Sequence, residues 1–212
     1  MDTIDQTDRY TIGSLDALAR IYAKPAEGVL RKETDHVTAL GRAFIEASPF
    51  LILATSSAAG LDCSPKGDGP GFVQLLDDRT LLIPDRPGNN RVDGMKNIIE
   101  NPQVGIVFLV PGANETYRVN GRAKISVDPT LLDRFLVQGK RPRAVIVVAV
   151  DQAFNHCPKA LVRSDLWQAG TRGRPDGIPT TGGFAALREG KGADFASDYD
   201  AKYAVRIPNE LY

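Results

Sequence analysis

Two cysteines in 212 residues, Cys63 and Cys157, are too few for a disulfide framework. Neither has a close cysteine partner, so no recognisable zinc pattern is present either. No apolar run is long enough to cross a bilayer, and the opening MDTIDQTDRYTIGS is polar and acidic, unlike a secretory signal. The expected location is therefore the cytoplasm. A surplus of one charge is also missing, since 26 Lys and Arg balance 26 Asp and Glu. A general nucleic-acid binder needs excess cations to displace counterions, so that class is disfavoured, whereas a local cationic pocket is not. There is no internal repeat and no nucleophile-elbow motif of the kind that serves Ser-His-Asp hydrolysis.

What is present suits a single domain with elaborations: 42% of residues are hydrophobic, enough for a proper core at this length. Residues 15–22 are predicted to form a short helix capped by Ser14 and interrupted at Pro25 and Gly28. A clearer helix is predicted over 35–47, with Thr34 as its cap and Val37, Leu40, Phe44 and Ile45 at helical spacing. FLILATS (50–56) reads as a buried strand, and residues 61–65 return as its partner. Residues 66–71, KGDGPG, read as a loop whose glycines let backbone approach a flat ligand. Further strands are predicted over 72–76, 80–84, 104–110, 115–127 and 144–150. In the long one, Tyr117, Val119, Gly121, Ala123 and Ile125 share one face. A helix is predicted from Pro129 to Val137. Seven mostly consecutive antiparallel strands with inserted helices are most simply buried as a closed or split barrel with helical covers. From Gln168 to Gly192 the chain becomes glycine-rich and polar, with few core formers, which predicts a tail hugging the surface or wrapping a dimer partner.

The segment 80–112 organises the rest. Its strand stops at Pro84, a turn delivers Asn89 and Asn90 to a predicted helix over 91–100, and Asn-Pro closes that helix. An Asn cap, first-turn N–H groups and Arg91 would suit a phosphate. An ordinary capped helix with a solvated arginine is the other reading. Lys66 at a strand end and His156-Cys157-Pro158-Lys159 form two further donor-rich spots. In an antiparallel barrel Lys66 and Arg91 can meet one phosphomonoester dianion.

The ordered set SPKGD (64–68), PGF (70–72), LLIPDRPGNNR (81–91), NIIENP (97–102), VNGRA (119–123) and HCPKA (156–160), with Trp167, resembles the FMN-binding split-barrel proteins related to pyridoxamine 5'-phosphate oxidase. It is most similar to a bacterial subfamily of FMN-dependent enzymes, and the resemblance spans residues 34–168. This implies a mainly β fold with α, an antiparallel split β-barrel with covering helices, flanked by an N-terminal extension (1–33) and a C-terminal tail (169–212) packing on the barrel or the dimer partner. FMN is the implied cofactor, held at the interface of a homodimer.

By the same resemblance, the strand carrying Ser64 and Lys66 would bind the FMN phosphate, together with Asn90 and Arg91 and the preceding Asn89. Ile83, Pro84 and Asp85 would run along the isoalloxazine. Glu115, Thr116 and Trp167 would approach from the second subunit. Departures from the pattern matter: Leu61 stands where the vitamin B6 oxidase has an arginine, and the arginine-histidine motif near its C-terminus is missing. Both handle pyridoxal phosphate, so B6 oxidation is not implied. His156 and Lys159 have two readings: donors to the flavin pyrimidine edge or a substrate anion, or caps for the helix begun at Pro158. A redox role for Cys157 lacks a nearby resolving cysteine.

The implied function is a flavin-dependent oxidoreductase of unidentified substrate, with no metal. The alternatives are a flavin-binding module without turnover, acting as carrier or sensor, and a related split barrel that holds haem or a deazaflavin.

Overall fold

The computed structural model describes residues 10–171 and 173–212. The chain divides into two compact units, a small one ending at Glu33 and a large one, Thr34–Tyr212. In the small unit, helix α1 (Leu15–Ile21) is capped by Ser14, whose hydroxyl accepts from the Ala17 amide at 3.1 Å, as its sequence predicts. A single turn, α2 (Glu27–Leu30), follows Pro25.

The large unit opens with α3 (Ala39–Ala47), four residues later than predicted. Thr38 caps it, accepting from the Gly41 amide at 3.2 Å. Thr34 instead forms a β-bridge with Ala153, and its hydroxyl donates to the Ala153 and His36 carbonyls. A β-bridge uses the same extended backbone that a cap would, so the sequence pattern alone does not separate the two.

Four strands come next: β1 (Phe50–Ser57), β2 (Gly60–Gly67), β3 (Gln74–Leu75) and β4 (Thr80–Asp85). Lys66 and Gly67 extend the pairing of β2 with β1, so the expected loop begins only at Asp68. β3 is shorter than predicted: only Gln74 and Leu75 pair with β4, while Phe72 and Val73 are buried ahead of it. Helix α4 (Asp93–Glu100) leads into β5 (Gln103–Leu109) and β6 (Thr116–Ser126). The Pro129 helix is one turn, α5 (Pro129–Leu132), continued as a 3-10 turn to Phe135. β7 (Ala144–His156) runs six residues beyond its predicted end, so His156 closes the strand rather than following it.

All seven strands pair antiparallel in the order β2-β1-β5-β6-β7-β4-β3. The sheet curls until the end of β2, at one edge, meets the end of β4 near the other, where Lys66 and Asp85 form an ion pair at 2.9 Å. The result is an antiparallel split barrel with covering helices. Leu51, Leu53, Ile83, Ile106, Phe108, Val119 and Ile146 fill its interior. Along β6 the predicted inward face is correct: Tyr117, Val119, Gly121 and Ala123 are buried. A bulge between Asn120 and Gly121 absorbs the register shift against β7. Helix α4 is pinned to β1 by buried Asn97, which donates to Thr55 Oγ1 at 3.2 Å and accepts from Ser57 Oγ at 2.7 Å.

After α6 (Lys159–Ser164) and α7 (Leu166–Thr171), the second part of the glycine-rich segment is ordered as α8 (Thr181–Arg188), and α9 (Ala193–Arg206) follows it. Gly182 is used for close helix packing: its amide donates to Asp200 Oδ1 at 2.7 Å, and a Cβ there would collide with the Ala196 carbonyl. Sequence composition does not distinguish a glycine kept for contact from one kept for flexibility.

At the bulge, a Cβ on Gly121 would collide with the Ala149 carbonyl oxygen, a backbone atom held in the sheet. Gly121→Ala is expected to lower stability by about 1–3 kcal/mol. The measurement is urea unfolding, with a lower midpoint at unchanged slope.

Candidate functional site

A cleft of about 600 Å3 lies over the seam of the barrel, a volume in the range of small-molecule sites. Its apolar floor includes Leu53, Phe72, Met95 and Ile146, and its rim is the loop from Arg86 to Val92. Of the residues singled out from sequence, Ser64, Lys66, Pro84, Asp85, Asn89, Asn90 and Arg91 all border it. Ile83 is fully buried beneath, paired with Ile146 across the sheet.

The loop is built differently from its sequence prediction. The helix starts at Asp93, not Arg91, and the cap position is Val92, in the left-handed region at φ 51° with no side-chain cap. A β-branched residue there is strained by roughly 1–3 kcal/mol. Asn89 closes an Asx turn instead, accepting from the Arg91 amide at 3.1 Å. Asn90 is also left-handed, at φ 60°, a conformation that asparagine tolerates well.

Carboxylates accompany most of the cations. Lys66 donates to Asp85 Oδ1 at 2.9 Å, with both side chains mostly out of water. Exposed Arg91 donates to Asp93 Oδ2 at 2.7 Å, and its guanidinium holds the Asp93 carboxyl below the ordinary carboxylate range. Asp62 accepts from Ser64 Oγ at 2.7 Å. Four cations, Lys66, Arg86, Arg91 and Arg143, border the cleft against three carboxylates, Asp62, Asp85 and Asp93.

Two parts of this arrangement were missed from sequence. Arg143 reaches the rim because β7 pairs with β4: its amide donates to the Asp85 carbonyl at 3.2 Å, and Ala144 pairs with Asp85. The only sequence signal was the basic run Lys140-Arg141-Pro142-Arg143. The second part is a clamp beside the cleft. Arg86 Nε donates to Asp68 Oδ2 at 2.7 Å and Arg86 Nη1 to the Phe135 carbonyl at 2.8 Å. The Tyr212 hydroxyl donates to Asp68 Oδ1 at 2.6 Å, and its ring lies 5.4 Å from the Arg86 guanidinium carbon.

The remaining candidates stand elsewhere on the chain. Thr116 and His156 pair with each other in the row that runs through Leu109 and Phe50 to Gly67. In sheet order this places Thr116 three and His156 four strand spacings from β2, roughly 14 and 19 Å measured along the sheet. Glu115 adjoins Thr116, Lys159 opens α6, and Trp167 donates from Nε1 to the Ala113 carbonyl at 2.7 Å. None of these five borders the cleft. Among the described residues, no group of three or more His, Cys, Asp or Glu could hold a metal ion, and no helix is long and apolar enough to cross a membrane.

Burial raises the Asp68 carboxyl, but the Tyr212 hydroxyl, the Gly69 amide and Arg86 together bring it below its ordinary value. A lowered folded-state value stabilises the fold above the unfolded carboxylate range, and that stabilisation is lost as pH falls through the folded value. Asp68→Asn is therefore expected to cost roughly 1–3 kcal/mol at pH 7. Its deficit against the parent should shrink below about pH 4, as followed by denaturant unfolding across pH.

Residues 37–157 match the family model for pyridoxamine 5'-phosphate oxidase. No curated protein sequence matches the chain. Among solved structures, HupZ from Group A Streptococcus is 22% identical, covering 56% of this chain and 93% of its own, with a TM-score of 0.46. An FMN-binding protein from Syntrophomonas wolfei is 14% identical over 55% of this chain and 83% of its own, with a TM-score of 0.43. General Stress Protein 26 from Bacillus anthracis is 18% identical over 53% of this chain and 88% of its own, with a TM-score of 0.39.

Proposed function

The chain belongs to the pyridoxamine 5'-phosphate oxidase family, and from that membership we propose that it binds FMN in the seam cleft and acts as a flavin-dependent oxidoreductase. The observation that carries this reading is the convergence of Lys66, Asn90 and Arg91 on one cleft with Pro84 and Asp85. These residues come from three separate stretches of chain, and their donors match a phosphomonoester. The donor set fits FMN in its other half as well, since Leu53, Phe72, Met95 and Ile146 offer an apolar floor to a flat ring.

In this reading Lys66, Asn90 and Arg91 hold the phosphate, and Ser64 and Asn89 complete the polar wall. The backbone from Ile83 to Asp85 borders the ring. Bound FMN supplies hydride transfer at its N5, while the chain contributes placement and electrostatics. The functional unit is a homodimer, in which a second copy brings Glu115, Thr116, His156, Lys159 and Trp167 to the flavin. Their distance from the cleft within one chain supports this arrangement. His156 and Lys159 then present donors where negative charge accumulates on reduction.

Absorbance of the purified protein tests the cofactor: paired flavin bands are expected, and a sharp Soret band would replace FMN with haem. Oxidation of NADH or NADPH by the FMN-loaded protein separates an enzyme from a carrier or sensor, which would show no turnover with any donor and acceptor.

Trp167 is the sole tryptophan. Its emission is expected to be strongly quenched as FMN binds, because the partner's ring would lie against the flavin. Flavin binding without quenching would show that the second subunit does not supply Trp167.

A further inference from the structure

We infer that Arg143, oriented by Asn90, is the principal anion anchor of the cleft. This deepens the FMN reading and rests on it for the identity of the ligand. Three of the four bordering cations already have carboxylate partners: Lys66 has Asp85, Arg91 has Asp93, and Arg86 has Asp68. Arg143 alone is held by a neutral group, its Nη1 donating to Asn90 Oδ1. Among the described residues no carboxylate pairs with it. A neutral acceptor fixes the direction of a guanidinium without cancelling its charge. The N–H groups it leaves over match the oxygens of a phosphate.

Backbone geometry supports the same assignment. Arg143 precedes the first residue of β7, its amide bonded to the Asp85 carbonyl, so its main chain is anchored in the sheet. Arg91 has a less constrained setting: it stands in the loop rather than beside a strand, and both side chains are exposed. Water screens both cations alike, and what separates them is the Asp93 carboxylate that already offsets the charge of Arg91, so Arg91 contributes less to anion binding. The identity of residue 90 is informative too. At φ 60° asparagine and aspartate are both tolerated, and aspartate would neutralise Arg143. Asparagine retains the positioning and leaves the charge available.

The test uses the full-length protein titrated with FMN and with riboflavin, for the parent, Arg143→Ala, Asn90→Asp and Arg91→Ala. Circular dichroism confirms that each variant is folded, and Arg143→Lys serves as the charge-retaining control. Arg143→Ala is expected to weaken FMN roughly 10- to 100-fold and riboflavin hardly at all. Asn90→Asp should weaken FMN in the same selective way, Arg143→Lys should recover part of the loss, and Arg91→Ala should cost less than Arg143→Ala. Arg91→Ala costing as much as Arg143→Ala, or Arg143→Ala weakening both flavins equally, would overturn the assignment while leaving FMN binding intact. If the parent binds neither flavin, the FMN reading itself fails. The anchor is then judged with inorganic phosphate by 31P line broadening: broadening in the parent that Arg143→Ala abolishes supports it, and no broadening in the parent refutes it.

Discussion

The ion pair between Lys66 and Asp85 joins the two sides of a sheet whose terminal strands, among the described residues, are not paired with each other. β2 and β3 are the terminal strands of the sheet, so the seam between its ends depends on side chains. Lys66 leaves the end of β2 and Asp85 the end of β4, and both are mostly shielded from water. Such a pair repays its desolvation only with good geometry, so its contribution is better read as fixing where the strands meet than as net stability. The neighbouring Arg86–Asp68 pair repeats the connection one step further along and ties in the Phe135 carbonyl. The loop from 86 to 92 is thus clamped at its first residue and leads at its last into α4.

The electrostatics of that cleft follow from the same constraint. Cations brought together at a seam repel one another, and the carboxylates of Asp85 and Asp93 offset most of that repulsion. What is left over lies at Arg143, whose partner is an amide. A site with internally paired charges and one uncancelled cation can receive an anion without carrying a large positive field when empty. It is consistent with a chain whose overall formal charge is zero.

The loop's unusual backbone belongs to this arrangement. Asn90 and Val92 are both left-handed, which turns the chain sharply enough to bring Arg91 and Asn90 to the rim before α4 begins. α4 is held by contacts deeper in the fold, through Asn97 to Thr55 and Ser57 on β1. Asp62 fills the space against Gly94, where a Cβ would come within 2.7 Å of its carboxylate. The helix entrance thus meets acidic side chains, and the donors facing the cleft come from side chains on three other segments.

Much of the fold was legible in the sequence because burial imposes a pattern on single residues. The alternation along β6, the run FLILATS and the stop at Pro84 each mark a strand locally, and those strands are present. The convergence of Lys66 with Asn90 and Arg91 was legible from the expected barrel topology and the ordered motifs, since no periodicity relates residues that far apart. Cap assignments failed at Thr34 and at the Asn pair because an extended polar residue can serve a bridge or an Asx turn equally well. The C-terminal glycines read as a surface tail, yet Gly182 permits two helices to touch. Arg143 and the Tyr212–Asp68–Arg86 clamp were decided by tertiary structure alone. Which charge stays uncancelled depends on which side chains the β4–β7 register and the closing seam bring within hydrogen-bond reach, and distance in space is not written in the order of residues.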